Sequence, residues 1–214
     1  MSKTGAPARL GKSIRQKRGQ KTYEALVRTG FKLLRKKEFD EITVAELAKT
    51  AGYSVGAFYA RFRSKDEFFA ALMAHHVHER SEARRRFFAE LDPETLVVTL
   101  MEDLVTYYWD KRRFWRAALM RSMHDSAFWE PMRLLSHEVA DGIIAKIEHE
   151  TGRKPNATEE TNLRFAYQMA LGLINNTIIN RPGPIFMDQE AFIENLTRAF
   201  RLVSDYDRLF GLKR

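Results

Sequence analysis

The sequence predicts an all-α protein in which a small N-terminal domain precedes a larger helical one. Three observations predict it. From residue 21 onward apolar side chains recur every three or four positions, and no run alternates as a strand would. Ser, Thr, Asp or Asn stands just ahead of several of these apolar runs, and Gly or Pro just after them, as helix boundaries require. Basic charge is concentrated at one end: residues 1–65 hold 16 Lys and Arg against 5 Asp and Glu, a net of +11, while the other 149 hold 20 against 23, a net of −3.

The 214 residues, 44% hydrophobic and 12% aromatic, suffice to build a sizeable core. With no cysteine, a disulfide framework, a thiol nucleophile and a cysteine-ligated zinc are excluded. The opening MSKTGAPARLGKSIRQKRGQK lacks the apolar run of a secretory signal, and no later segment approaches the roughly 20 apolar residues of a membrane-spanning helix. A cytoplasmic protein is expected. The basic N-terminal end is expected to meet a polyanion, nucleic acid ahead of an anionic membrane because apolar residues near it are few.

Taken in order, residues 1–20 combine Gly, Pro, Ser and basic residues with few apolar anchors and predict a flexible basic arm. A helix follows over 21–37, on Tyr23, Leu26, Val27, Phe31, Leu33 and Leu34, and Phe39-Asp40 marks a turn. Thr43 with Glu46 reads as a capping box, and Ile42 with Leu47 as a hydrophobic staple, so a short helix starts there and ends at Ala51. Gly52 supplies the positive backbone angle of a tight turn, and Ser54 caps a second short helix with Val55, Phe58 and Phe62 along one side. Ser64 with Glu67 reads as a further box opening a long helix over 65–90.

Asp92-Pro93 starts the next helix, over 93–110, followed by helices over 112–123 and 128–150, the last ending at Gly152. Asn156 and Glu159 box the start of a helix that runs to Asn180, where RPGP breaks it. A final helix, 188–210, places Phe192, Leu196, Ala199, Val203 and Tyr206 on one stripe.

Two helices of about two turns each, joined by a glycine turn with small Ala48 at the crossing, form a helix-turn-helix over residues 42–62. Neither is long enough to be stable alone, so the flanking helices must support them. In such motifs the second helix enters the major groove and the first crosses the phosphate backbone. Ser54, Val55, Gly56, Ala57, Tyr59 and Arg61 then face outward, mostly small, with Tyr59, Arg61 and Thr43 able to reach phosphates or base edges. Lys65 stands in a first helical turn, where a cation opposes the macrodipole unless an anion sits there; a DNA phosphate would be that anion.

The series TVAELAKTAGYSVGAFYARFRSKDEFFAAL, preceded by an amphipathic helix and followed by a long one, resembles the N-terminal DNA-binding domain of the TetR family of bacterial transcriptional regulators. The likeness is specific over about residues 20–75 and rests on Thr43, Ala48, Ala51-Gly52, Gly56, Phe58-Tyr59, Phe62 and Ser64-Lys65. Carried over residue by residue, it implies phosphate-backbone contacts from Thr43, Tyr59 and Lys65 and groove contacts from Ser54, Val55, Gly56 and Ala57. Two departures matter: Arg61 stands where the family often has His, and Ala57 where Thr or Ser is frequent. With so few hydrogen-bonding groups on the recognition helix, DNA shape and thymine methyls are expected to supply much of the preference.

The resemblance also implies a second domain that binds a small molecule and dimerises, giving the division 1–20 arm, 21–67 helix-turn-helix domain and 68–214 ligand-binding and dimerisation domain. Ala166, Ala170 and Leu173 on one helix, with Phe192, Leu196, Ala199 and Val203 on the last, are the candidate homodimer interface. An apolar or aromatic effector is expected. His76, Tyr108, Trp115, His124, Trp129, Asn175 and Asn176 are its candidate contacts, although each suits an ordinary core as well. His75 and Glu79 share a helix face without a third ligand at convincing spacing, so no metal is expected. Nucleophile motifs, phosphate-binding glycine loops and paired carboxylates are missing from the sequence, so neither enzyme activity nor a cofactor is expected. Against a repressor released from a palindromic operator by its ligand stand two other readings: a sequence-independent DNA-binding protein, and a carrier or enzyme that uses the same scaffold.

Overall fold

The computed structural model describes the backbone of residues 6–212 and the side chains of residues 18–212, and every regular element among them is helical. Two compact units divide the chain, Met1–His75 and His76–Arg214. The sequence places that break at 67/68. It falls later because the first turns of the fourth helix belong to the core of the N-terminal unit: Phe68 packs edge-on against Phe58 and Phe62, with ring centroids at 5.6 and 5.1 Å, and Phe69 lies 4.5 Å from Phe39.

The N-terminal unit comprises α1 (Ala6–Leu34), a 3-10 turn (Phe39–Glu41), α2 (Val44–Ala51), α3 (Val55–Tyr59) and the opening turns of α4 (Lys65–Glu90). The flexible arm predicted over 1–20 is corrected from Ala6 onward, where the backbone is helical; residues 1–5 lie outside the described residues. Charge and missing apolar anchors suggested a loose arm, but Ala, Arg, Lys and Gln are strong helix formers and Pro7 is tolerated in a first turn. Thr43 caps α2 through its Oγ1, which accepts the Glu46 N–H at 3.1 Å. The reciprocal half of the predicted box is absent, because the Glu46 carboxylate pairs with Lys37 at 2.6 Å instead. Ser64 likewise accepts the Glu67 N–H, while the Glu67 carboxylate takes the N–H of Arg63.

Gly52 ends α2 at φ 81°, a left-handed angle that an L side chain rarely adopts, and the Tyr53 N–H closes the turn on Ala48 O at 2.9 Å. A second glycine serves packing: a β-carbon at Gly30 of α1 would stand 2.6 Å from the ring edge of Phe68, so the two helices meet closely there.

The second unit holds the remainder of α4 with α5 (Pro93–Asp110), α6 (Arg112–Ser122), α7 (Glu130–Thr151), α8 (Ala157–Asn180), α9 (Glu190–Ser204) and α10 (Tyr206–Phe210). Asp92 caps α5 with Pro93 in its first turn, Gly152 ends α7 in the left-handed region, and Asn156 with Glu159 makes a complete capping box at α8. The predicted last helix is broken at Asp205, whose φ of 53° separates α9 from α10. Its buried stripe is Phe192, Leu196, Phe200 and Ser204, so Ala199 and Val203 sit beside the packed face and are half-exposed. The candidate dimer set is corrected in part: Ala166, Ala170, Phe192 and Leu196 are buried inside the single chain, where the closely packed α8 and α9 consume them. What α8 leaves outside is Phe165 and Leu173, 56% and 43% exposed, with half-buried Met169 between them.

Glu159 joins three segments. Its carboxylate accepts from Arg153 Nη1 at 2.7 Å, the Asn156 N–H at 2.9 Å and Arg208 Nη2 of α10 at 3.0 Å. The Arg153 hydrogen bond, then the backbone N–H, lower its pKa from 4.5 to about 2. A depressed folded-state pKa adds stability above the unfolded value that is lost as pH falls through the folded one. Glu159→Gln is therefore expected to flatten the acid limb of the stability curve between about pH 5 and pH 2, read by urea unfolding at a series of pH values.

Candidate nucleic-acid interface and ligand cavity

α3 is five residues long and has an inside and an outside. Ser54 caps it, its Oγ accepting the Ala57 N–H at 3.1 Å. Phe58 points inward and is fully buried, 5.3 Å from Phe62 and 5.6 Å from Phe68. Phe62 also meets Tyr23 of α1 at 5.6 Å, so the aromatic cluster joins α1, α3 and α4. With that side committed, Ser54, Val55, Gly56 and Tyr59 are exposed and Ala57 is half-exposed. Val55 and Tyr59 stand out as large hydrophobics left at 41% and 54% exposure.

The remaining predicted DNA contacts lie on neighbouring elements of the same unit. Thr43 is exposed at the start of α2. Arg61 is exposed just past α3, its guanidinium placed so that a β-carbon on Gly19 of α1 would collide with it. Lys65 is half-buried: Nζ donates to Asp40 O at 3.2 Å and lies 4.5 Å above the Phe39 ring. Partial burial lowers its pKa, against the opposing fields of Asp40 and Asp66. Its ammonium is thus fixed in place by protein groups rather than waiting bare for an anion, which revises the sequence argument from the macrodipole. The geometry gives α3 an outward surface of one hydroxyl, one phenol and small apolar groups, flanked by Thr43, Arg61 and Lys65.

A cavity of about 480 Å³ lies in the second unit, bounded by Tyr108, Trp129, Met132, Ala140, Tyr167, Leu171 and Gly172 and by the polar residues Arg133, Ser136, His137, Arg164, Gln168 and Asn175. Of the seven predicted ligand contacts it brings together Tyr108, Trp129 and Asn175. Trp115 is a layer behind, stacked on Tyr108 at 4.2 Å with planes 4° apart. His76 is buried, bonded through Nδ1 to the Tyr107 hydroxyl at 2.7 Å and edge-on to Trp115. His124 is exposed and outside the lining, and Asn176 is exposed and accepts from Asn180 at 2.7 Å. The lining of this cavity does not include these four, because the helix faces that close it are set by α7 and α8. Sequence reasoning missed Arg133, Arg164, Tyr167 and Gln168. Arg164, Gln168, Leu171 and Asn175 recur along one α8 face, a spacing legible only once the opposite face is known to be core. Burial pushes the Tyr108 and Tyr167 phenols upward in pKa, so both stay protonated. Among the described residues, no three His, Cys, Asp or Glu stand where they could hold a metal ion, and no helix is long and apolar enough to cross a membrane.

Residues 26–72 match the family model for bacterial regulatory proteins of the tetR family. That segment is a tetR-family N-terminal domain. The matched segment covers α2, α3 and the packing faces of α1 and α4. YwcC, an uncharacterized HTH-type transcriptional regulator of Bacillus subtilis, is 40% identical over 52 residues, which are 24% of this chain and only 23% of that protein. The TetR-family fold extends over nearly the whole chain. A crystal structure of a family regulator from Streptomyces coelicolor superposes with a TM-score of 0.63 at 17% identity, covering 88% of this chain and 82% of that one. A Rhodococcus sp. regulator gives 0.55 at 18% identity, with 87% and 97% covered. RolR in complex with resorcinol gives 0.57 at 15% identity, with 93% and 98% covered.

The inside–outside division of α3 makes a direct prediction. Phe58→Ala should cost about 3–5 kcal/mol of unfolding free energy, whereas Tyr59→Ala should cost less than about 1 kcal/mol, measured by denaturant titration.

Proposed function

We propose that the protein is a ligand-responsive, sequence-specific transcriptional regulator acting in the cytoplasm, a repressor that binds a palindromic operator as a homodimer and is released by a small molecule. The outward face of α3 carries this reading: buried Phe58 anchors the five-residue helix, and Ser54, Gly56 and Ala57 are small enough for the backbone to approach base edges. Val55 and Ala57 offer methyl groups to thymine, and Ser54 and Tyr59 offer hydroxyls. Thr43, Arg61 and the preset ammonium of Lys65 serve phosphates. The basic residues at the N-terminal end of the sequence add charge for the duplex, so binding falls steeply with salt.

Dimerisation uses the apolar surface α8 leaves uncovered, Phe165, Met169 and Leu173 at i, i+4 and i+8, together with Leu202 of α9, which is 67% exposed. Two recognition helices then meet successive major grooves about 34 Å apart. The cavity beside Tyr108 and Trp129 takes the effector; that RolR holds resorcinol supports a small-molecule role for this fold. A ligand can release DNA only through different affinities for the bound and free arrangements of the dimer.

Selection of duplexes from a random pool tests the reading. The expected consensus is two-fold symmetric and preferred over random DNA by about 10³ or more at moderate salt. Tyr59→Ala combined with Arg61→Ala should weaken binding to all sequences and reduce the salt slope by about one for the lost charge. Recovery of no consensus, with equal affinity for every duplex, would identify a sequence-independent DNA-binding protein instead.

A further inference from the structure

The lining of the cavity has a sign. Two arginines, Arg133 and Arg164, stand in it without any Asp or Glu. Their acidic partners approach from outside the lining: Glu130 holds Arg133 through Nε and Nη2, and Asp141 holds Arg164 Nη2 at 2.6 Å. These bonds leave Nη1 of Arg133, and Nε and Nη1 of Arg164, for another acceptor. The depression of about 690 Å³ between α5 and α9 is the reverse, with Glu102, Glu190, Glu194 and Asp207 against Arg198 and Arg201.

The interior behind the cavity repeats that sign. Arg80 and Arg84, their side chains 8% and 4% exposed, share the single carboxylate of Asp103. Arg80 takes it through two hydrogen bonds. Arg84 Nη1 lies 3.1 Å from the same carboxylate but is left without a hydrogen bond. Two buried guanidiniums against one carboxylate leave a formal positive charge in a low-dielectric region, where an uncompensated charge is costly. The phenols of Tyr167 and Tyr108, both in the cavity wall, are close enough to act on Arg84 electrostatically. An anion entering beside those tyrosines would offset part of that charge.

Two further features define the body of the ligand. Trp129 and the Tyr108 ring, the latter braced by its stack on Trp115, supply flat apolar walls. Asn175 lines the cavity, and its Oδ1 is an acceptor without a donor, closed off from solvent within the wall; a turn of the amide would present it to an O–H or N–H of the ligand. We infer that the effector is an aromatic carboxylate bearing a hydrogen-bond donor, its ring between Tyr108 and Trp129, its carboxylate on Arg133 and Arg164, and its donor on Asn175. The effector role rests on the regulator reading above; the chemistry of the cavity does not.

Calorimetric titration of the full chain with three probes tests it: 6-hydroxy-2-naphthoate, its carboxamide, and 2-naphthoate, which lacks the hydroxyl. The hydroxy acid should bind at least about 10-fold more tightly than the amide, the advantage of a charge-assisted over a neutral hydrogen bond. In Arg133→Gln/Arg164→Gln, both surface-accessible changes, that advantage should vanish while amide binding is retained. The hydroxyl advantage over 2-naphthoate should survive in that variant and vanish in Asn175→Leu. Equal affinity for acid and amide, an advantage indifferent to the arginines, or no saturable binding by any probe overturns the charge assignment; equal affinity for the two acids overturns the role of Asn175. Tight acid binding that leaves the affinity for selected duplex unchanged would support the cavity chemistry and count instead against the ligand-switch part of the proposed function.

Discussion

The burial of Phe58 is the constraint on which the N-terminal unit depends. A five-residue helix cannot persist in water, since nucleation fixes several residues for each hydrogen bond gained. α3 is held by tertiary contact, through a ring enclosed by Phe62 and Phe68 and tied by Phe62 to Tyr23. Once that ring is inside, helical geometry turns Val55, Gly56 and Tyr59 outward. The same aromatic cluster supplies stability and aims the exposed face, which therefore needs few polar groups of its own.

The second unit solves a different problem. It encloses a cavity while keeping the helices around it fixed, and it does so with buried polar ties: Glu159 gathers Arg153, Arg208 and a backbone N–H, and Asp103 gathers Arg80 and Arg84. The first set is balanced, because Arg208 also pairs with Asp205, so that its two cations meet two carboxylates at the start of α8. The second carries a cation in excess beside the tyrosines of the cavity wall.

Much of this architecture was legible because helix boundaries are local. Thr43, Ser54, Asp92 and Asn156 act as caps, and Gly52 and Gly152 end helices, where residue type alone indicates; the outward set on α3 follows from the same reading. What escaped depends on partners distant in sequence. Glu46 abandons its capping box for Lys37 because the turn after α1 brings that ammonium within 2.6 Å. Lys65 is engaged by Asp40 and Phe39, twenty-five residues away along the chain in the case of the carbonyl. His124 and Asn176 looked as suitable for a ligand as Asn175, because polar residues on amphipathic helices cannot be assigned to cavity or solvent until the helices are packed. Ala166 and Ala170 looked like an interface because small residues suit any close helix contact, including the one between α8 and α9 of a single chain.

Backbone hydrogen exchange, followed with and without a duplex recovered by selection, tests the central claim most directly, because it reports the surface that the DNA covers. The account predicts that added protection in the N-terminal unit is strongest over residues 54–61, with a second stretch at Thr43 and Val44. Duplex binding that leaves 54–61 exchanging as in the free protein would contradict it.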